Sequence, residues 1–592
     1  MAPHKCYFLA TTSLEEFWDT HQHLLFLGEW CLKFDRRSYW ITLDGHLIKS
    51  YVHGGKEGSK VFHEIDDIYE KLLPIVATSL NAFHETEFSV RYWRIVIGPW
   101  LQYYITVMYD RYLRITLALK EYPNLTTTLL SEDSFIVSRD TEHFVNLSSS
   151  DFYNLQVFSR ILRFLGKEFP SKSATDGKLS EGCKVQSRSW KNAIFRPISD
   201  FYRFLVIKLV SNPVVINSSY WPKRLELRLA VKLFGGLFST IGANEEKKDY
   251  QFDDNRRKTF KSVSFGDDVF CNCIGSMLFA DMPKCFVEGY KPTVDSAKSF
   301  YPNSARIIFS ANAWWFDETF KVWAAEKAEK GTLLFGAPHG GNYSAQLTHQ
   351  ARDHEKKILD HYYLEGLSAS NAQGERIQTP LLKLMPLNDM GANNLKSGIL
   401  WATTSLPRYF CHDCLFCLPE FHSEYLQWQA RFVDSLSPFT LSVLKLRPHS
   451  SDFGWGAVSR LKVLYTNLRL DPPETTFIES ISNCRLFVCD HMSTTYAEAL
   501  ACNKPTILFW SPDANPLLPE AEQYFALLRN AGVLFDSPEA AAEAASNVYE
   551  DVEKWWNDAK RQETIKVFTE TFLGHHPDSE NIWLKELCVI AK

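Results

Sequence analysis

No segment of this 592-residue chain is apolar over the length of a bilayer. The longest uncharged stretch, IVIGPWLQYYITVMY between Arg94 and Asp110, falls short of the roughly 18 to 20 residues a span needs and reads as a buried helix. Cysteine is sparse, with 13 residues scattered over the chain; that odd, dispersed set excludes a disulfide framework and fits reduced thiols. Cys411, Cys414 and Cys417 have C-x2-C-x2-C spacing, but no second C-x2-C supplies the remaining ligand of a closed zinc site, so no metal is expected there. An excess of one charge is also missing. With 64 Lys+Arg against 70 Asp+Glu the net charge is −6, which gives no global pull toward nucleic acid or anionic lipid, and an anion site must be a local concentration of positive charge. No P-loop, G-x-G-x-x-G, G-x-S-x-G or kinase signature is present. The opening apolar run CYFLA is too short for a signal-peptide core, so the expected location is the cytoplasm, with peripheral contact at the inner membrane face allowed.

What is present is ordinary globular material, 45% hydrophobic and 23% charged. From Phe62 to Lys120 apolar residues recur at three- and four-residue spacing, which predicts two helices, the second kinked or broken by Pro99 near Gly98. From about Ala305 the pattern becomes regular: ARIIFSAN, TLLFGA, SGILWATT, LSVLKLRPH, RLFVCD, TILFW and GVLF read as strands separated by helical segments. Alternation of this kind predicts α/β architecture with doubly wound parallel sheets and ligands at the carboxyl ends of the strands. The expected division is an N-terminal acceptor-side α/β domain with helical insertions over 1–355 and a linker over 356–394. A nucleotide-binding Rossmann-like domain over 395–545 and a helical tail over 546–592 follow.

Three clusters could carry chemistry. Lys445, Arg447 and His449 alternate along one strand and predict a cationic face; carboxylate partners on an exposed strand would explain them equally well. Asp490 leads into Ser493-Thr494-Thr495, where hydroxyls and free N–H groups at a helix start form a phosphate-sized site. Thr495-x-x-Glu498 also has capping-box spacing, a purely structural reason for the same residues. Pro338-His339-Gly340-Gly341-Asn342 ends a predicted strand, its glycines allowing close ligand approach and its histidine able to accept a proton near neutral pH.

LATTSLEEFW, RYWRIVIGPWL, SANAWWFDETFKVWAAEKAEKGTLLFGAPHGGNY and STTYAEALACNKPTILFWSP together resemble a family of transferases encoded in bacterial O-antigen and surface-polysaccharide gene clusters, first noted in Leptospira. A more distant similarity is to capsule Kdo transferases, bacterial sialyltransferases and polyol-phosphate transferases. The resemblance implies a GT-B-like glycosyltransferase, two Rossmann-like domains facing a cleft, that uses a nucleotide-sugar as co-substrate, a glycan or lipid-linked glycan as acceptor, and no resident cofactor. It assigns Arg447, His449, Ser493 and Thr494 to the donor nucleotide and makes His339 a candidate base. The reading of the residues adds Lys445 and Thr495 at the phosphates, Glu498 at the ribose, and Glu29 and Asp317 as lesser candidates for the acceptor base. The chain departs from the family pattern at Pro338, where Gln is usual. A CMP-activated ulosonic acid is the expected donor and inversion without a metal the expected mechanism. A polyol-phosphate transferase or nucleotide-sugar epimerase of the same architecture is the first alternative. The second is a non-enzymatic scaffold docking a membrane polymerase through the aromatic helix Tyr92 to Tyr112.

Overall fold

The computed structural model describes residues 6–52, 54–175, 201, 204–240, 248–260, 267–340, 342–365, 378–379, 382, 384, 397–411 and 415–590. Its strands are short and apolar, and the central ones are buried along their whole length, as strands covered on both faces must be. They form three main parallel sheets. The first contains β1 (Tyr7–Ala10), β2 (His23–Phe26) and β3 (Gly45–Leu47), then, after the long helices α1 (Gly55–His84) and α2 (Val90–Glu121), β4 (Leu125–Thr126). Its order is β3-β2-β1-β4.

The second sheet takes β5 (Val214–Asn217), helix α3 (Lys223–Lys232), β6 (Leu237–Ser239), β7 (Ile307–Ser310), helix α4 (Glu318–Glu329), β8 (Leu333–Gly336), helix α5 (Gln350–Ile358) and β9 (His361–Tyr362). Its strands lie β9-β8-β7-β5-β6, so chain order reverses between β5 and β7. The third comprises β10 (Ile399–Ala402), helix α6 (Pro419–Asp434), β11 (Leu444–Arg447), β12 (Arg469–Leu470), β13 (Leu486–Cys489), helix α7 (Thr494–Ala501), β14 (Thr506–Phe509) and β15 (Leu534–Phe535). The order β12-β11-β10-β13-β14-β15 is that of a doubly wound dinucleotide fold, reversing between β10 and β13. The last two sheets are the two Rossmann-like units expected from the alternation.

Within the N-terminal half, residues before Asp151 form the first sheet, with α1 and α2 between β3 and β4 in the chain, and one continuous core joins it to the second sheet. Of the kink or break expected at Pro99, a break does not occur, since α2 runs on for 32 residues. Buried packing on several sides holds the helix through the missing hydrogen bond. Gly98 permits that packing, since a Cβ there would lie 2.8 Å from both His354 Cε1 and Tyr69 Oη.

The first sheet is fastened to the third by buried charge. Asp151 accepts from Arg408 Nη2 and from Tyr409 Oη, each at 2.6 Å, and pairs with Lys33 at 3.0 Å. Arg114 bonds to Glu420 of α6 at 2.8 Å, and Arg111 donates to the Phe410 carbonyl. The helical tail is not an appendage. Its last helix, α8 (Ser579–Ile590), crosses back to the second sheet, where Trp583 packs on Trp221 and Tyr363 with ring centroids 5.7 and 5.2 Å away. Among the described residues, no helix is long and apolar enough to cross a membrane.

Candidate functional site

The carboxyl ends of the second and third sheets meet. His339 follows β8, and its Nδ1 lies 3.0 Å from the Ala311 carbonyl, just past β7, and 2.9 Å from Tyr343 Oη. A carbonyl only accepts, so the Ala311 contact assigns the proton to Nδ1 and makes Nε2 the basic nitrogen of the ring. The ring packs on Tyr220, which follows β5, at 5.3 Å between centroids. His339 therefore sits at the reversal point of the second sheet, where an open α/β sheet binds its ligand.

The loop that carries it is held firmly. Arg352, 5% exposed on α5, donates to the carbonyls of Tyr343 (3.1 Å), Gln346 (2.7 Å) and Leu347 (3.0 Å). The same loop docks on the third sheet. Asn342 Nδ2 donates to the Met492 carbonyl at 2.6 Å, and a Cβ built on Gly340 would lie 3.3 Å from Thr494 Oγ1. The histidine loop and the Ser493-Thr494-Thr495 helix start, 150 residues apart, thus face one crevice. Gly341 lies outside the described residues.

Ser493 is the N-cap of α7, accepting from the Thr495 N–H at 3.2 Å and donating to Thr495 Oγ1 at 3.0 Å. The helix begins two residues earlier than the Thr495-x-x-Glu498 spacing suggests, so that spacing is not its cap; Glu498 lies within the helix. The positive end of the helix dipole points at the crevice floor.

Beneath it lies an acidic hub. Asp490, 1% exposed, accepts from Trp401 Nε1 (3.2 Å), Tyr425 Oη (2.8 Å), Gln429 Nε2 (3.1 Å) and His491 Nδ1 (3.0 Å). It clamps β10, β13 and α6 where the third sheet reverses. Burial alone would disfavour the charged form of His491, but Cys489 and Asp490 overcome it and push its pKa up from 6.5 to about 10. The imidazolium places a positive charge two residues before the Ser493 cap. Because the folded value is the raised one, this pairing stabilises the fold fully below pH 6.5 and loses its contribution as pH climbs toward about 10. Urea unfolding of wild type and His491→Gln should show a stability difference that shrinks steadily across that window; a difference independent of pH would refute the charged pairing.

Other candidates are placed elsewhere. Arg447 is engaged within the fold: its guanidinium is held by Asp471, by Ser480 Oγ at 3.1 Å and by the Thr475 carbonyl at 3.0 Å. Lys445 faces solvent, and His449 lies beyond the strand, its Nδ1 3.0 Å from the Ser451 carbonyl. The basic strand therefore does not assemble a cradle. Asp317 caps α4, accepting from the Phe320 N–H and from Asn217 Nδ2, both at 2.9 Å, so both its oxygens are engaged. Glu29 follows β2 at another interface, where burial and then Glu420 raise its pKa while Arg460 opposes them. Cys411 and Cys417 are buried thiols, and Cys414 is outside the described residues. Tyr343 and Arg352 were not singled out by sequence, and His491 stood within the Cys489-to-Thr495 motif without a role of its own.

A family model described as LIC12162 family transferase matches residues 7–587. No curated protein matches the sequence. Among solved structures, the S. aureus MnaA–UDP co-structure has 12% identity and a TM-score of 0.34, covering 62% of this chain and 98% of MnaA. Acinetobacter baumannii MurG has 10% identity and a TM-score of 0.31, covering 64% and 99%. The spinosyn rhamnosyltransferase SpnG with spinosyn aglycone has 9% identity and a TM-score of 0.30, covering 63% and 100%.

Proposed function

The chain belongs to the LIC12162 transferase family, and from that premise we propose that it is a cytoplasmic, metal-independent, inverting glycosyltransferase of the GT-B type. In this reading a nucleotide-activated sugar, a CMP-ulosonic acid in the first instance, is transferred to a hydroxyl of a surface-polysaccharide or O-antigen acceptor. The donor lies on the third sheet and the acceptor on the second. The observation that carries the reading is the docking of the His339 loop on the start of α7 through Asn342 and Gly340. It sets a base and an anion site on opposite sides of one crevice.

The chemistry follows from those positions. His339 Nε2 takes the acceptor proton as the hydroxyl oxygen forms its bond to the anomeric carbon from the face opposite the leaving nucleotide. The bond from that carbon to the phosphate oxygen breaks, and its electron pair leaves with the nucleotide. The developing charge meets the N–H groups of Ser493 and Thr494, the dipole of α7 and the His491 imidazolium, groups already fixed before reaction. Glu498, one turn into α7, is assigned to the ribose.

Thermal unfolding with CMP, CDP, UDP and GDP tests the donor site. A ligand at a hundredfold excess over its Kd stabilises by about 2.7 kcal/mol, and CMP is expected to raise Tm by a few degrees. Stabilisation by UDP alone would replace the ulosonic donor, and stabilisation by none would remove the nucleotide reading altogether.

A further inference from the structure

The aromatic helix Tyr92 to Tyr112 offers no docking surface, because most of that stretch is buried inside α2. A different surface stands out on α3. Its outward positions are Lys223, Arg224, Leu227, Arg228, Val231 and Lys232, all basic or aliphatic. The helix's one acid, Glu226, turns inward, accepting from Ser219 Oγ at 2.5 Å and Ser239 Oγ at 2.7 Å. Leu227 and Val231 are 68% and 70% exposed, and Phe234, just past the helix, is 99% exposed. Leu209, 76% exposed, and the exposed Lys208 extend the patch, since a Cβ on Gly236 would lie 3.7 Å from the neighbouring Val210 Cγ1.

Two features of this face are costly in water. A helix that meets only solvent normally carries charges of both signs and few large apolar groups. Phe234 moreover has φ of 51°, in the left-handed region that a bulky side chain rarely adopts. Backbone strain spent to hold an aromatic ring fully outside the protein needs a compensating environment. Five cations (Lys208, Lys223, Arg224, Arg228 and Lys232) surround the apolar residues. Among the described residues, the facing counter-charge is Glu580 of α8, which pairs with Arg224 at 2.5 Å and Arg228 at 3.5 Å. Among the described residues the remaining excess is positive, which opposes a second copy of the same face.

We propose that this face binds an anionic lipid bilayer, with α3 lying in the headgroup layer, Leu227, Val231 and Phe234 inserted, and the basic residues against lipid phosphates. The inference is independent of the transfer chemistry. Its consequence for that chemistry is positional: α3 starts beside Tyr220, which packs on His339, and spans about 15 Å at 1.5 Å per residue. A lipid-borne acceptor held there would be delivered close to the base.

Flotation of the full chain with phosphatidylcholine vesicles, with and without phosphatidylglycerol, tests the proposal. Wild type should float with the anionic vesicles at low salt, at least about tenfold less at high salt, and not with phosphatidylcholine alone. Leu227→Ser/Val231→Ser/Phe234→Ser, and separately Lys223→Glu/Lys232→Glu, should each lower partitioning at least about tenfold with unchanged circular dichroism. Failure of wild type to float, or undiminished binding by a folded triple variant, overturns the proposal. So does a wild-type dimer in vesicle-free sedimentation that the triple variant abolishes, which would mark the face as a contact between copies. Nucleotide-induced changes in Tm report on the crevice separately.

Discussion

Alanine at His339 should lower kcat by ~10²- to 10⁴-fold, the range a positioned proton acceptor contributes, while leaving nucleotide-induced stabilisation intact. The split follows from the geometry. The Ala311 carbonyl fixes the proton on Nδ1 and leaves Nε2 as the base, whereas the anion site is made by the main chain of α7. Arg352 holds the loop through three carbonyls and does not depend on the imidazole, so the variant should fold. Turnover measured with the donor identified by thermal shift decides it: a variant with full kcat removes His339 as the base. A variant that also loses nucleotide binding would instead show that the ring supports the crevice rather than the proton transfer.

The second large effect is on stability. Asp490→Ala should cost roughly 3–5 kcal/mol, the penalty for removing one member of a buried charged network. It leaves the donors of Trp401, Tyr425, Gln429 and His491 without their shared acceptor and an imidazolium without its counter-ion. Asp490→Asn keeps one acceptor oxygen and should lose less. Chemical denaturation followed by tryptophan fluorescence measures both, and a loss under about 1 kcal/mol in the alanine variant would mean that the hub is not a clamp.

The parts of this arrangement visible in the sequence are those whose signal is local. RLFVCD, TILFW and ARIIFSAN each contain a run of about four apolar residues ending in polar ones, and each proved to be a buried parallel strand with its carboxyl end in or near a crevice. The Gly340 turn and the Ser493 cap are likewise short-range devices. Which carboxylate pairs with Arg447 was not legible because its partners Asp471, Thr475 and Ser480 lie 24 to 33 residues downstream, and a strand face pattern does not reveal which neighbour neutralises it. LSV in LSVLKLRPH belongs to a helical turn, Pro438–Val443, started by a serine cap and proline. The role of His491 was hidden for the same reason as the pairing of Arg447: the residues that define Asp490 are 61 to 89 positions away. The first sheet was hidden because HLLF and GHL are too short and too mixed to outweigh the long helices that follow them.

The return of α8 to the second sheet has a mechanical corollary. The chain passes between the two Rossmann-like units twice, once between β9 and β10 and once before α8. The two crossings oppose separation of the units. A single cut between β9 and β10 would leave the units joined by α8, with Trp583 still seated against Trp221 and Tyr363. The nicked protein should migrate as one particle until denatured.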